Sequence, residues 1–192
     1  MPSFPDVQAA DARALVTGFL HREPGGGWLP PDRTADLLHC YGIWLVDAEP
    51  AGSEDDAGAQ PVVTDGTAVR IGVTDDRVFG PLVVFGLGGT ATGVPADRGA
   101  RLTPLTDTDA DSLIRSIRSA PSPPGHRDTP ATDPDTLREL LLRVSRLTDD
   151  LPEITELDLS PVMARPHGVF AVDARIKVAP RLPQDPFLRR LR

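Results

Sequence analysis

Apolar residues recur at helical spacing in some segments of the chain and alternate with polar residues in others. The helical spacing predicts helices over residues 6–20, 33–41, 109–119 and 135–148. Short apolar or alternating runs predict strands over residues 43–46, 67–74, 82–85, 101–105, 154–160 and 169–176. The run 82–85 is apolar at every position, which predicts a strand that is covered on both faces. Because helices stand between strands along the chain, the pattern indicates an α/β fold with crossover helices.

The residues that flank these segments predict how the helices begin and end. Asp32 is expected to cap the second helix, and Gly42 is expected to adopt the left-handed conformation after it. Asp107 or Thr108 is expected to cap the third helix.

Changes in composition divide the chain into four parts. Residues 1–48 form a helical lead-in with a first strand, and residues 49–66 are acidic, small and without periodicity, which predicts a flexible loop or linker. Residues 67–180 carry most of the predicted strands and form the main domain. Residues 181–192 end in an arginine-rich, solvated tail.

Composition excludes several classes of protein. The chain has 192 residues and a net charge of −8, which argues against a generic nucleic-acid binder because such proteins need a surplus of basic residues. No apolar run is long enough to span a membrane, and the N-terminus does not resemble a secretory signal, so a cytoplasmic location is expected. The single cysteine, Cys40, excludes a disulfide framework. Lys177 is the only lysine.

Acidic and hydroxyl side chains are expected to meet on a hairpin near the carboxyl end. A turn at Pro166–His167 predicts that Ser160 lies opposite Asp173, and that Asp158 lies opposite Arg175. Directly opposed residues share one face of a sheet, so these four side chains form one polar patch.

This polar patch is open to two interpretations. Two carboxylates and a hydroxyl are hard oxygen ligands suited to Mg²⁺, which makes Asp158, Asp173 and Ser160 candidate metal ligands. Polar strand faces are common, however, and composition alone favours a solvated sheet face with an Asp158–Arg175 ion pair.

A glycine-rich segment follows the apolar run 82–85. Gly86, Gly88 and Gly89 allow backbone N–H groups to approach a phosphate or carboxylate, and they equally suit a tight turn between strands. The segment lacks the full dinucleotide fingerprint and the lysine of a P-loop.

Four ordered motifs together resemble a known family. The segments V78-FGPLVVFGLGG-89, R101-LTPL-105, E156-LDLSP-161 and V172-DARI-176 are similar to the ATP-grasp domain of the NDP-forming acyl-CoA synthetases. The resemblance implies a shortened second lobe of an ATP-grasp fold, of the α/β class, within residues 67–180. It further implies that Gly86, Gly88 and Gly89 contact the phosphates of ATP, and that Asp158, Asp173 and Ser160 hold Mg²⁺.

The resemblance leaves two functions open. In the first, the chain is a fragment or subunit of an ADP-forming acid–CoA ligase. Its partner would be a CoA-binding domain or a chain that supplies the missing lobe. In the second, it is a non-catalytic relative that binds a partner, because no lysine is placed to hold the ATP phosphates as in the family and arginine is not interchangeable with lysine. Either function predicts that the isolated chain is inactive as a ligase.

Overall fold

The computed structural model describes residues 4–46, 67–76, 78–87, 98–116, 134–165 and 168–181. Four helices and seven strands lie in these ranges: α1 Ala9–Arg22, β1 Gly27–Trp28, α2 Pro31–His39, β2 Thr67–Asp76, β3 Gly80–Leu87, β4 Arg98–Leu102, α3 Asp107–Ser116, α4 Pro134–Asp150, β5 Ile154–Arg165, β6 Gly168–Ala171 and β7 Ala174–Val178. The predicted linker 49–66, and all of the predicted tail after Arg181, lie outside the described residues.

All seven strands belong to one sheet, which confirms the predicted α/β class. Its order is β1-β7-β5-β2-β3-β4, and β6 pairs with the far end of β5. Each pairing between these strands is antiparallel, and an isolated parallel bridge joins Leu45 to Ala171. The predicted strand over 43–46 is therefore reduced to a single bridge.

The four helices and the sheet enclose one core. Helix α4 contacts β3 and β6, α3 contacts β4 and α4, and α2 contacts β7. Alternate residues of the central strands are buried in this core, among them Ile71, Phe85 and Leu157. The neighbouring positions Leu82 and Val84 are only half-buried, so the prediction that this strand is covered on both faces is wrong. One face of the sheet is covered by helices, and the described residues leave the other face open.

The helix ends agree only in part with the prediction. Gly42 has a φ of +67°, which confirms the expected left-handed residue after α2. Helix α2 begins at Pro31 rather than after Asp32, because proline is well suited to the first helical position, where its missing N–H is not needed. In α3 the capping side chain is that of Thr106 rather than Asp107 or Thr108, since Thr106 Oγ1 accepts a hydrogen bond from the Asp109 N–H at 3.2 Å.

Among the described residues, no helix is both long and apolar enough to cross a membrane.

Candidate functional site

The open face of the sheet carries the predicted site. Strand register places its side chains in three rows that cross the sheet. They are Trp28–Lys177–Glu156–Thr74–Leu82–Leu102, Arg175–Asp158–Gly72–Val84–Ala100 and Asp173–Ser160–Arg70–Gly86–Arg98. Charged groups therefore concentrate on β7, β5 and β2, and apolar side chains on β3 and β4, with Arg98 at the start of β4 as the exception.

The hairpin register is as predicted. Asp158 pairs with Arg175 and Arg165 pairs with Gly168, while the Ser160 N–H donates to the Asp173 carbonyl at 3.1 Å. Local alternation and the turn signal sufficed here because the two strands adjoin in sequence.

The ion pair on this face differs from the expected one. Asp158 accepts two hydrogen bonds from Arg70, from Nε to Oδ1 at 2.7 Å and from Nη2 to Oδ2 at 2.5 Å. The guanidinium of Arg175 instead lies over the Trp28 ring, 4.5 Å from its centroid. The predicted Asp158–Arg175 ion pair is therefore wrong, although the two residues are directly opposed. A cation over an indole ring is itself favourable, which gives Arg175 an alternative partner.

A β-bulge explains how Arg70 reaches Asp158. Between Val69 and Ile71, β2 has one residue where β5 has two, Ser160 and Pro161. Proline cannot donate to the ladder, so it is tolerated at such irregular positions. Gly72 lies directly opposite Asp158 and has no side chain, which leaves the Arg70 side chain room to cross toward the carboxylate.

The contact with Asp158 changes the pKa of Arg70. The hydrogen bond to Asp158 raises the pKa of the Arg70 guanidinium, and burial opposes that shift. The Arg70 side chain is 59% exposed and that of Asp158 is 26% exposed. The pair therefore sits at the sheet surface, with the carboxylate better shielded than the cation.

Of the other predicted metal ligands, Asp173 has a local hydrogen-bond partner. Asp173 lies in the link between β6 and β7, and its Oδ1 accepts the Ala174 N–H at 2.8 Å. Ser160 is half-buried at the bulge. The hairpin thus brings Asp158, Ser160 and Asp173 to adjacent register positions.

The predicted phosphate segment is only partly described. Gly86 is buried and pairs with Arg70 on one side and Arg98 on the other, near the end of β3. Gly88 and Gly89 lie outside the described residues.

Sequence reasoning missed Arg70, Arg98 and Trp28 as members of this face. The alternation that predicted β2 already placed Arg70 on the side opposite Val69 and Ile71. What the alternation does not give is which strands flank β2, and so which carboxylate faces Arg70.

Comparison with known proteins identifies the fold. The sequence model of the ATP-grasp domain family matches residues 58–178 of the chain. The chain belongs to the ATP-grasp domain family. This ATP-grasp domain is 40% identical over 119 residues to the beta subunit of the ADP-forming acetate–CoA ligase II of Pyrococcus furiosus, covering 60% of the chain and 50% of that subunit. It is also 34% identical over 178 residues to the ADP-forming acetate–CoA ligase II of Archaeoglobus fulgidus, covering 93% of the chain and 25% of that ligase.

Solved structures agree with this assignment. A chain of the dinucleotide-forming acetyl-coenzyme A synthetase 1 of Ca. Korarchaeum cryptofilum, in complex with coenzyme A and Mg-AMPPCP, matches with a TM-score of 0.70 at 23% identity. That match covers 87% of this chain and 99% of the other, and it supports the fold alone. Another structure of the same synthetase matches at 35% identity with a TM-score of 0.53, over 60% of this chain and 51% of that one. This ATP-grasp domain is thus related to the ADP-forming acyl-CoA synthetases, and it spans about half the length, or less, of the curated ligases it matches.

The ATP-grasp fold implies binding of ATP and Mg²⁺, so the fit of a metal ion can be tested against the described residues. Carboxylate and hydroxyl oxygens are the right donor type for Mg²⁺. Both oxygens of Asp158, however, already accept hydrogen bonds from Arg70. No group of three or more His, Cys, Asp or Glu residues within the described part of the chain is arranged to hold a metal. In this arrangement the residues do not fit a divalent ion at Asp158.

Proposed function

We propose that this chain is the ATP-binding part of an ADP-forming acid–CoA ligase, and that the nucleotide lies on the open face of the sheet. The observation that carries the proposal is the division of this face into a charged half and an apolar half, in a domain related to such ligases. The charged half suits phosphates, and the apolar half suits the flat face of a base.

The charged half offers donors for a polyphosphate. Arg70 uses Nε and Nη2 for Asp158, which leaves the N–H groups of Nη1 to donate elsewhere. Arg98, at the start of β4 on the apolar side of the face, is exposed beside Gly86 and adds a further cation. In the proposal these two guanidinium groups and the backbone of Gly86, Gly88 and Gly89 hold the phosphates. Arginine matches phosphate oxygens through its planar fork, where a lysine would act as a point charge.

The apolar half offers a surface for the rest of the nucleotide. Leu82, Val84, Ala100 and Leu102 lie side by side on β3 and β4, and the Leu102 side chain is 42% exposed. Positioning and charge stabilisation are what a protein contributes to phosphoryl transfer, and in the proposal this face contributes both by holding the nucleotide.

The ligase reaction itself requires a partner in this proposal. The relatives include a beta subunit, a designation that implies a second subunit in that enzyme. A CoA-binding chain or domain, or a chain that supplies the remaining ATP-grasp lobe, is the expected partner. The isolated chain is expected to bind nucleotide without completing the reaction.

A fluorescence titration tests nucleotide binding. Trp28 lies at the edge of the open face under Arg175, so its emission reports on that face. Substitution Trp44→Phe removes the only other tryptophan. We expect saturable quenching by ATP with a Kd near 1 mM, or about −4 kcal/mol. Val84→Glu, which places a carboxylate in the centre of the face, is expected to abolish it.

Val78→Glu is the matched control. Val78 is 81% exposed at the tip of the β2–β3 hairpin, away from the three rows. Unchanged binding in Val78→Glu together with loss in Val84→Glu supports the proposal. Absence of saturable quenching in the parent protein would favour a non-catalytic, partner-binding relative instead.

A further inference from the structure

Asp158 is the carboxylate at the centre of the charged half, and both of its oxygens are engaged by one guanidinium. The two donors Nε and Nη2 of Arg70 form a parallel pair of bonds at 2.7 and 2.5 Å. Such bidentate, charge-assisted contacts are among the strongest that a carboxylate makes in a protein. A metal ion that binds Asp158 has to share its oxygens with these bonds, next to the positive charge of the guanidinium.

The surroundings of Asp158 add to this competition. Arg175 lies directly opposite Asp158 in the strand register, although its guanidinium lies over the Trp28 ring. Asp173 has one oxygen on the Ala174 N–H, and Glu156 lies one row away, opposite Lys177. Mg²⁺ loses its water reluctantly and needs carboxylates that are free to replace it.

We infer that Arg70 is the resident cation of this site and occupies Asp158 in place of a divalent metal ion. The inference deepens the proposed function, because it assigns the positive charge that accompanies the nucleotide on the same sheet face. It departs from the expectation that Asp158, Asp173 and Ser160 hold Mg²⁺.

The inference makes Arg70 the cause of metal exclusion, which a metal titration without nucleotide tests. Free Mn²⁺, a paramagnetic substitute for Mg²⁺, is measured by electron paramagnetic resonance while it is titrated into the full chain. We expect Arg70→Gln to bind Mn²⁺ at least about tenfold more tightly than the parent protein, a factor that corresponds to about 1.4 kcal/mol. The double variant Arg70→Gln/Asp158→Asn is expected to lose that gain.

Arg175→Gln is the matched control. It removes the same charge from a residue directly opposite Asp158, but Arg175 lies over Trp28 and makes no hydrogen bond to the carboxylate. A gain confined to Arg70→Gln assigns the effect to the hydrogen-bonded pair. An equal gain in both variants would assign it to net charge and overturn the inference.

Two further outcomes also overturn the inference. One is a parent protein that binds Mn²⁺ as tightly as Arg70→Gln does. The other is an Arg70→Gln variant, folded by circular dichroism, that gains nothing, with Arg70→Ala giving the same result. Because no nucleotide is present, failure of ATP binding would contradict the proposed function without altering this result.

Discussion

Gly42 is needed for two reasons, its backbone conformation and the limited space around it. Its φ of +67° lies in the left-handed region, where a side chain costs about 1–2 kcal/mol. A Cβ at this position would lie 2.5 Å from Arg143 Nη1 and 2.8 Å from Asp6 Oδ2. The same Arg143 Nη1 donates to the Tyr41 carbonyl at 2.9 Å, so a shift there would disturb the end of α2. The absence of a side chain at Gly42 is therefore needed for both conformation and space.

Gly42→Ala is expected to lower the free energy of unfolding by about 1–2 kcal/mol or more, because the strain and the contact with Arg143 add. Urea denaturation measures the change. Gly18→Ala is the control: Gly18 lies inside α1 with nothing within 4 Å of the added Cβ. That variant is expected to gain up to about 1 kcal/mol from helix propensity. Equal stability of the two variants would contradict the argument.

The left-handed Gly42 and the hairpin partners of Asp158 were both predictable, because each depends on residues near in sequence. The hydrogen-bond partner of Asp158, which is Arg70, was not predictable from the sequence. Arg70 is 88 positions away and reaches it only because β2 lies beside β5 and a bulge shifts their register. The local alternation predicts which face of the sheet a side chain lies on, and the order of the strands determines which residues it contacts there.

At the scale of elements, the start of α3 depends on a reciprocal pair. Thr106 Oγ1 accepts the Asp109 N–H at 3.2 Å, and Asp109 Oδ2 accepts the Thr106 N–H at 3.0 Å and its hydroxyl at 2.6 Å. These bonds lower the pKa of the Asp109 carboxyl, and the bond from the Thr106 side chain contributes most. The spacing Thr-x-x-Asp in the sequence identifies this cap, and the predicted cap at Asp107 or Thr108 was one or two residues too late.

The cap gives α3 an acid-sensitive contribution to stability. Since the folded-state pKa of Asp109 is lowered, the stabilisation is present above the ordinary carboxyl pKa of about 4 and is lost as the pH falls through the folded-state value. Asp109→Asn is expected to cost about 0.5–1 kcal/mol at neutral pH and little once the parent carboxyl is protonated. Urea denaturation at both pH values measures it. Asp107→Asn, in the same turn, is the control and should cost less at neutral pH.

At the scale of the whole molecule, Asp150 links the helical lead-in to the main domain. Its Oδ2 accepts the hydroxyl of Tyr41 at 3.1 Å and Nε of Arg146 at 2.8 Å, while its carbonyl accepts a hydrogen bond from Arg13. Tyr41 is fully buried, and burial raises the pKa of its hydroxyl, with the charge of Asp150 adding to the effect. Helix α1, the residues after α2 and the end of α4 are thereby joined at one partly buried polar point.

The buried hydrogen bond of Tyr41 predicts that the protein loses stability at alkaline pH and that the absorbance of Tyr41 reports the unfolding. The folded-state pKa of Tyr41 is raised, so its contribution is fully present below about pH 10 and is lost as the pH rises toward the folded-state value. Tyr41 is the only tyrosine, so tyrosinate absorbance is expected to rise together with the loss of circular dichroism. Tyr41→Phe should cost about 0.5–1.5 kcal/mol at neutral pH and weaken the alkaline loss of stability. Tyrosinate formation well before unfolding would contradict the prediction.

The position of Lys177 on β7 has a practical consequence. Its ammonium lies 5.7 Å from the centroid of the Trp28 ring, and no second lysine exists in the chain. Amine-directed chemistry therefore reaches a single side chain, apart from the terminal amine, and that side chain borders the open face of the sheet. A dye attached there lies at the edge of the open face, so binding of a ligand to that face can be followed from the dye's emission without an introduced cysteine.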